Sequence, residues 1–183
     1  MCEPDSPTLH AAAALAIKGD AAAFGHLVRA HQSRLRGFLL RLTKGNAALA
    51  DDLAQETFLE AFKKIAQYAD GNFFGWLCAI AWSRFLMEAR KRRLENLDDL
   101  PEMAEDVPEA ENASLIRHDL ESAMASLHPM QRAALTLCFA LGFSNEEAAA
   151  ALNIPLGTLK SHVNRGRAKL ALLLTDWRKV AVS

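Results

Sequence analysis

The stretch from Ser144 to Leu173 reads SNEEAAAALNIPLGTLKSHVNRGRAKLALL, and its pattern predicts two helices joined by a tight turn. Ser144 is followed three residues later by Glu147, which is the capping-box pattern of a helix that begins at about Asn145. The Asn-Ile-Pro sequence at 153–155 should end that helix, because Asn tolerates turn conformations and the residue before a proline is disfavoured in a helix. The proline can then stand at the start of the next helix. This order of elements predicts a helix-turn-helix.

The second of these helices should be buried along one side and polar along the other. At about 100° per residue, its apolar side carries Leu156, Leu159, Val163, Gly166, Leu170 and Leu173. The opposite side and its flanks carry short polar or basic side chains, namely Thr158, Lys160, Ser161, Asn164, Arg165 and Arg167. Asn and Arg can make paired hydrogen bonds to base edges in the major groove, and basic residues on the flanks would meet phosphates. An ordinary amphipathic helix with a basic exterior is the alternative, but the capped first helix and the acid-free second helix favour a helix that reads DNA.

Composition and patterning predict an all-α chain. It has 183 residues, of which 51% are hydrophobic and 23% charged, so a packed core is expected. No sustained alternation of apolar and polar residues is visible, which argues against a β-sheet. The formal net charge of −1 argues against a general nucleic-acid binder, so contact with DNA should come from a local basic surface.

The residues also argue against several function classes. Cys2, Cys78 and Cys138 are odd in number and lack CxxC spacing, which fits a reducing cytosol and neither a disulfide framework nor a structural zinc site. No apolar run reaches about 18 residues and the N-terminus lacks a secretion-signal pattern, so we expect a cytoplasmic protein. We find no nucleophile–base set, no metal-binding cluster and no Gly-rich phosphate loop, and therefore expect no catalytic residue, no metal and no cofactor.

Helical spacing of apolar residues predicts four helices in the N-terminal half. Asp20 and Asn46 should cap the second and third of them, and Gly19 and Gly45 should end the helices before. His31 falls on an apolar side and is interpreted as a packed histidine rather than a ligand. The predicted helices cover residues 8–18, 21–44, 47–67 and 73–93.

The third helix should have an apolar inner side that includes Phe58 and Phe62, and an acidic outer side. The outer side carries Asp51, Asp52, Gln55, Glu56 and Glu60. Taken alone, it is most simply a solvated charged face whose acids suit the helix dipole.

The fourth helix begins with aromatic residues and ends with the basic run at 90–93. This combination fits a surface on which single-stranded nucleic acid stacks while its backbone meets positive charge. In the alternative interpretation the aromatic residues belong to the core. Trp76 is assigned mostly to the core, whereas Trp82 and Tyr68 stay open between the two interpretations.

An abrupt change in composition separates the two halves. Residues 94–114 are rich in Asp and Glu, contain two prolines and have no Lys or Arg. Such a segment cannot bury enough apolar surface to fold alone, so it is interpreted as a flexible acidic linker. The predicted architecture is therefore an N-terminal domain over 1–93, the linker over 94–114 and a C-terminal helix-turn-helix domain over 115–183.

Five motifs occur in a characteristic order. They are Gly-Asp-Ala-Ala-Ala-Phe at 19–24, Asp-Leu-Ala-Gln-Glu-Thr-Phe at 52–58, Trp-Leu-Cys-Ala-Ile-Ala at 76–81, Leu-His-Pro-Met-Gln-Arg at 127–132 and Gly-Thr-Leu-Lys-Ser at 157–161. In this order and across an acidic linker, the chain resembles a bacterial sigma factor of the extracytoplasmic-function (group IV) type. The resemblance covers about residues 15–93 and 118–174.

The resemblance implies roles for individual residues. It implies that the third helix docks on the clamp helices of the large subunit of core RNA polymerase through Asp52, Gln55, Glu56 and Phe58. It implies contact with the −10 promoter element and its displaced strand by Tyr68, Asn72, Trp82, Arg84, Arg90 and Lys91. The −35 element would be read by Thr158, Lys160, Ser161, Asn164, Arg165 and Arg167. Core polymerase, promoter DNA and an anti-sigma factor are the implied partners.

Two other functions are alternatives to this one. A helix-turn-helix activator of the response-regulator or quorum type has a similar Thr-Leu-Lys-Ser-His stretch, but it carries a receiver or sensor domain upstream, and the N-terminal half here shows no strand-like runs. An adaptor that only holds another protein is the second. Neither explains the helix that contains Gln55 and Glu56.

Overall fold

The computed structural model describes residues 7–69, 71–95 and 120–174, and within these ranges every regular element is helical. The all-α prediction is thus confirmed, whereas the predicted linker falls almost wholly outside the described residues. The elements are α1 (Pro7–Ile17), α2 (Ala21–Leu42), α3 (Ala47–Lys64) with a 3₁₀ turn (Ile65–Gln67), α4 (Phe73–Glu95), a helical stretch at 120–125, α5 (Pro129–Leu135) with a π-helical turn (Thr136–Ala140), α6 (Asn145–Leu152) and α7 (Leu156–Leu173). We call α1–α4 the N-terminal bundle and residues 120–174 the C-terminal unit.

Local side-chain caps set the helix starts, as the sequence predicts. The Asp20 carboxylate accepts a hydrogen bond from the Ala23 amide at 3.0 Å, and the Asn46 side chain accepts one from the Leu49 amide at 3.0 Å. Each satisfies a backbone donor that the first turn of a helix leaves without a partner. Gly45 before the second cap has φ of +87°, a conformation that favours glycine.

The core of the N-terminal bundle is built around α2. Leu27, Leu35 and Phe38 of this helix are fully buried. His31 lies in the same row with only 2% of its surface exposed, and its ring stacks on Phe74 at 5.5 Å between centroids. The interpretation of His31 as a packed histidine is confirmed.

The inner side of α3 differs in one respect from the prediction. Phe62 is 49% exposed, and its ring meets that of Phe24 in an edge-to-face arrangement, at 5.1 Å between centroids. Thr57 is buried instead, and its hydroxyl donates a hydrogen bond to the Leu53 carbonyl at 2.6 Å. The inner stripe runs through Leu53, Thr57 and Ala61, and Phe62 lies one helical step beyond it.

The C-terminal unit is tied together by a buried arginine. Arg132 of α5 is 1% exposed, and its guanidinium donates hydrogen bonds to the carbonyls of Ala125 at 3.0 Å and Met124 at 3.4 Å. These carbonyls end the helical stretch at 120–125, where a helix leaves acceptors without a partner. Burial lowers the pKa of Arg132 from its ordinary value. Arg132 therefore joins α5 to the helical stretch before it.

The helix-turn-helix forms as its sequence predicts. The Ser144 hydroxyl accepts a hydrogen bond from the Glu147 amide at 3.1 Å, and the Ser144 amide donates one to the Glu147 carboxylate at 2.8 Å. Asn153 ends α6 in the left-handed region with φ of +52°. Of the expected apolar side of α7, Leu159 is buried, whereas Leu173 in the last turn is 46% exposed.

The two halves of the chain are in contact. Helix α4 packs against α6, and α2 packs against α5. The rings of Phe74 and Phe143 lie 6.0 Å apart across this contact, and both side chains are buried. None of the described helices is long and apolar enough to cross a membrane.

Candidate nucleic-acid and polymerase interfaces

The outer face of α7 is the most clearly formed candidate surface. Of the six residues that the sequence assigned to the −35 element, Ser161 is partly buried and five are exposed, namely Thr158, Lys160, Asn164, Arg165 and Arg167. Leu159, Val163 and Gly166 on the opposite face are buried. The helix therefore presents a continuous polar and basic face to solvent, while its apolar face fixes it to the C-terminal unit.

Close packing sets the position of α7 against α5. A Cβ atom added at Gly166 would lie 2.9 Å from Cδ1 of Leu135, so a larger residue here would force the Leu135 side chain to shift. At the other end of the contact, the Lys169 ammonium donates a hydrogen bond to the Ser126 carbonyl at 2.7 Å. The polar face of α7 is consequently held at a defined distance from the rest of the unit.

His162 adds an electrostatic feature to the same contact. Its ring stacks on that of His128, with centroids 6.5 Å apart and planes 12° from parallel. Burial, followed by the nearby His128 and Arg165, lowers the pKa of His162 below its ordinary value of 6.5. The lowered pKa favours the neutral imidazole within the helix that carries the candidate DNA-reading residues.

One exposed aromatic residue beside this face was missed from the sequence. Phe139, in the π-helical turn after α5, is 64% exposed. The Arg167 guanidinium lies over its ring at 5.8 Å from the centroid, within the range of a weak cation–π contact. Its position could have indicated this exposed aromatic residue, because Phe139 lies in the last helical turn before the helix-turn-helix.

The second candidate surface is the outer side of α3. Asp52, Gln55 and Glu56 are exposed, and Phe58 is partly buried, so the four residues assigned to polymerase lie along one helix with three of them facing solvent. Leu59 is 62% exposed on the same side and was not singled out from the sequence. An apolar side chain beside exposed acids and an amide gives this side the mixed character of a protein-binding surface.

Ion pairs occupy the edges of that surface. Glu60 accepts hydrogen bonds from Lys64 at 2.8 Å and Arg84 at 2.7 Å, which lower its pKa, with the Lys64 contribution the larger. Asp51 pairs with Arg36 of α2, whose hydrogen bond lowers the Asp51 pKa. These two acids already have cationic partners within the bundle, so Asp52 and Glu56 are the acids better placed to meet a partner. Glu56 keeps only a distant pairing with Arg84, at 3.9 Å.

Two of the residues assigned to the −10 element belong to the core of this structure. Tyr68 is 9% exposed, and its hydroxyl donates a hydrogen bond to the Gly71 carbonyl at 2.7 Å. Trp82 is 4% exposed and stacks on Phe85 at 5.6 Å between centroids. Neither ring can stack on a base in this arrangement, whereas Trp76, assigned mostly to the core, is partly buried.

The other four residues assigned to the −10 element divide into two pairs. Asn72 and Arg84 are partly buried and engaged: Asn72 donates a hydrogen bond to Glu147 of α6, and Arg84 binds Glu60. Arg90 and Lys91 are exposed near the end of α4, where the sequence is most basic. The structure thus brings only part of this set to the surface.

The described residues contain no cluster of three or more His, Cys, Asp or Glu side chains able to hold a metal ion. Cys78 is buried, and Cys138 is partly buried, with its pKa raised by burial. A raised thiol pKa disfavours the reactive thiolate.

Comparison with protein families gives one match in each half of the chain. Residues 27–95 match the family model described as sigma-70 region 2, and residues 117–170 match sigma-70 region 4. The first match contains α3 and α4, and the second contains the helix-turn-helix.

Curated relatives match across both regions. An "ECF RNA polymerase sigma factor SigE" of Mycolicibacterium smegmatis is 41% identical over 83% of this chain, which spans 63% of that protein's length. An "ECF RNA polymerase sigma factor EcfG" of Rhodopseudomonas palustris is 41% identical over 76% of this chain and 78% of its own length.

Two solved structures are similar to this one. The sigma factor RpoE in complex with the anti-sigma factor NepR, from Bartonella quintana, has a TM-score of 0.74 at 32% identity and covers 83% of this chain and 96% of its own. CnrH in complex with the cytosolic domain of CnrY has a TM-score of 0.70 at 28% identity and covers 92% of this chain and 98% of its own.

Proposed function

Because this chain belongs to the extracytoplasmic-function RNA polymerase sigma factors, we propose that it binds core RNA polymerase, directs it to specific promoters and assists DNA melting at initiation. It makes and breaks no covalent bonds in this role. Its action is placed in the cytoplasm, where promoter DNA and polymerase meet.

The observation that carries the proposal is the outer face of α7. Its Asn164 and Arg165 are exposed on a helix whose opposite face is fixed against α5. Asn pairs with adenine and Arg with guanine through two hydrogen bonds each, provided the helix lies in the major groove. Lys160 and Arg167 on the flanks supply sequence-independent attraction to phosphates. This face is proposed to read the −35 element.

The acidic and apolar side of α3 is proposed to bind the polymerase clamp. Asp52, Gln55 and Glu56 are exposed there, and Leu59 places an apolar group between polar ones. The α3 side and the α7 face belong to different halves of the chain. Binding to polymerase and reading of the −35 element are therefore separable by mutation.

Contact with the −10 element is proposed for the loop before α4 and for α4 itself. Asn72 stands at the start of this helix, and Arg90 and Lys91 near its end are exposed. An anti-sigma factor is a further proposed partner, since the Bartonella quintana relative was solved with one.

The test is run-off transcription from genomic promoters with purified core enzyme, which should yield specific starts only when the chain is added. Arg165→Ala removes one base-reading side chain, so we expect about 5- to 150-fold weaker transcription from the chain's own promoter, equivalent to about 1–3 kcal/mol. Its binding to core polymerase should be unchanged.

The matched control is Arg29→Ala, which removes an exposed arginine of α2 that lies on none of the proposed surfaces. Its transcription should equal that of the wild type. Equal loss of transcription in both variants, or loss of core binding by Arg165→Ala, would contradict the proposed separation of roles.

A further inference from the structure

We propose that Asn72 and Glu147 form a latch that holds the C-terminal unit closed on the N-terminal bundle, and that the chain by itself is self-inhibited in this closed state. The Asn72 amide nitrogen donates a hydrogen bond to Oε1 of Glu147 at 3.0 Å, across 75 residues of sequence. The latch thus joins the start of α4 to the first helix of the helix-turn-helix.

Both ends of the Asn72 amide are in use. Its oxygen accepts a hydrogen bond from the Gly75 amide at 2.9 Å, which caps the first turn of α4. Its nitrogen donates one of its two N–H groups to Glu147, and the side chain is partly buried. In the closed state the Asn72 side chain is therefore less available to DNA.

Both carboxylate oxygens of Glu147 also accept hydrogen bonds. One carboxylate oxygen accepts from the Ser144 amide at 2.8 Å and completes the capping box, while the other accepts from Asn72. The hydrogen bonds from Ser144 and from Asn72 lower the Glu147 pKa, so the carboxylate is ionised near neutral pH. A hydrogen bond to a charged acceptor is stronger than one between neutral groups.

A small apolar contact accompanies the latch. Phe74 and Phe143 meet with ring centroids 6.0 Å apart, and the Arg34 guanidinium covers Phe74 at 4.1 Å. Gly75 lies between the two parts of the contact: a Cβ atom there would lie 3.3 Å from Cγ of Asn72 and 3.4 Å from the Phe143 ring. These rings belong to a wider contact in which α4 packs on α6 and α2 packs on α5, and the latch adds a polar interaction to it.

The reason that the closed state must open rests on the proposed function. Promoter elements at −10 and −35 are about 25 base pairs apart, which is about 85 Å along B-form DNA. A compact chain of this length has a radius of gyration of about 16 Å, and so a diameter of about 40 Å. A closed chain cannot place α4 and α7 on both elements at once.

The test uses small-angle X-ray scattering of the full chain without DNA or polymerase. Asn72→Asp keeps the oxygen that caps α4 but sets one carboxylate against another, so we expect about a tenfold shift toward the open state and a larger radius of gyration than the wild type. Glu147→Gln keeps the cap with its single oxygen and turns an NH₂ group toward the Asn72 amide, which should also open the chain.

Reversal of donor and acceptor supplies the decisive comparison. In the double variant Asn72→Asp/Glu147→Gln, the new amide can donate to the new carboxylate, so the chain should return to the wild-type radius. Gly75→Met, which inserts a side chain against Phe143, should open it by a steric route. Asn46→Asp makes the same exchange at the cap of α3, away from this contact, and should leave the scattering unchanged.

Two outcomes would overturn the latch: an extended wild-type chain, or a double variant as open as Asn72→Asp. Neither outcome would contradict the proposed function, which is tested separately by transcription with core enzyme. If both proposals hold, Glu147→Gln should associate with core polymerase more tightly than the wild type, because a larger fraction of it is open. Unchanged affinity would show that the latch does not inhibit.

Discussion

Replacing glycine by alanine should have opposite effects on stability at two positions of α7, because α5 lies close to only one of them. Replacing glycine by alanine inside a helix stabilises by about 1 kcal/mol when space allows. At Gly157 no atom lies within 4 Å of the added Cβ, so Gly157→Ala should raise the free energy of unfolding by up to about 1 kcal/mol. Gly157 stands in the first turn of α7, where it serves as the matched control.

At Gly166 the same change meets a filled space. The added Cβ would lie 2.9 Å from Cδ1 and 3.3 Å from Cγ of Leu135, and 3.4 Å from Cβ of Gln131. Leu135 is 4% exposed and buried in the core, and overpacking of this kind costs about 1–3 kcal/mol. After the gain in helix propensity is subtracted, Gly166→Ala should lower the free energy of unfolding by about 1 kcal/mol.

Urea unfolding of the full chain, followed by far-ultraviolet circular dichroism, measures both variants. The expected gap between them is about 2 kcal/mol, with the wild type in between. A Gly166→Ala variant as stable as Gly157→Ala would refute the reasoning, since it would show that Leu135 moves aside without cost.

Three other predictions concern the C-terminal unit. Arg132→Met removes the hydrogen bonds to the Met124 and Ala125 carbonyls and should cost about 2 kcal/mol in urea unfolding; a variant as stable as the wild type would show that the buried guanidinium contributes no net stability. Because the His162 pKa is lowered in the folded state, the unfolded chain binds a proton at this imidazole more readily, and stability should fall as the pH drops through 6.5 toward the lower folded pKa. Thermal unfolding should show a weaker pH dependence in His162→Asn than in the wild type. An equal pH dependence would contradict the lowered pKa of His162. Lys160→Met should reduce the slope of log affinity against log salt for promoter DNA by about 1 in fluorescence anisotropy, and an unchanged slope would remove Lys160 from the phosphate contacts.

The sequence predicted those features of the fold that depend on neighbours within one helical turn. Asp20, Asn46 and the Ser144–Glu147 capping box each act over three residues, so the helix starts could be read directly. The polar face of α7 was predictable for a related reason. Helical periodicity alone separates Leu159 and Val163 from Asn164 and Arg165.

The candidate −10 surface shows where this reasoning ends. Tyr68 and Trp82 stand in sequence contexts that suit either a core or a stacking surface, and the structure buries both. Phe62 is predicted on the inner side of α3 and is half exposed, whereas Thr57 is buried with its hydroxyl satisfied by a carbonyl of its own helix. Such outcomes depend on which helix covers a given side chain.

The all-α architecture, the helix caps and the basic face of the last helix can be read from the amino-acid order, because they follow from local hydrogen bonding and from the 3.6-residue period. The folded arrangement was needed to show that Arg132 ties two helices together, that Gly166 lies against Leu135 where α5 meets α7, and that Asn72 meets Glu147. Each of these contacts joins residues whose distance in space is fixed by the packing of whole helices, and no pattern within a short stretch of sequence carries that information.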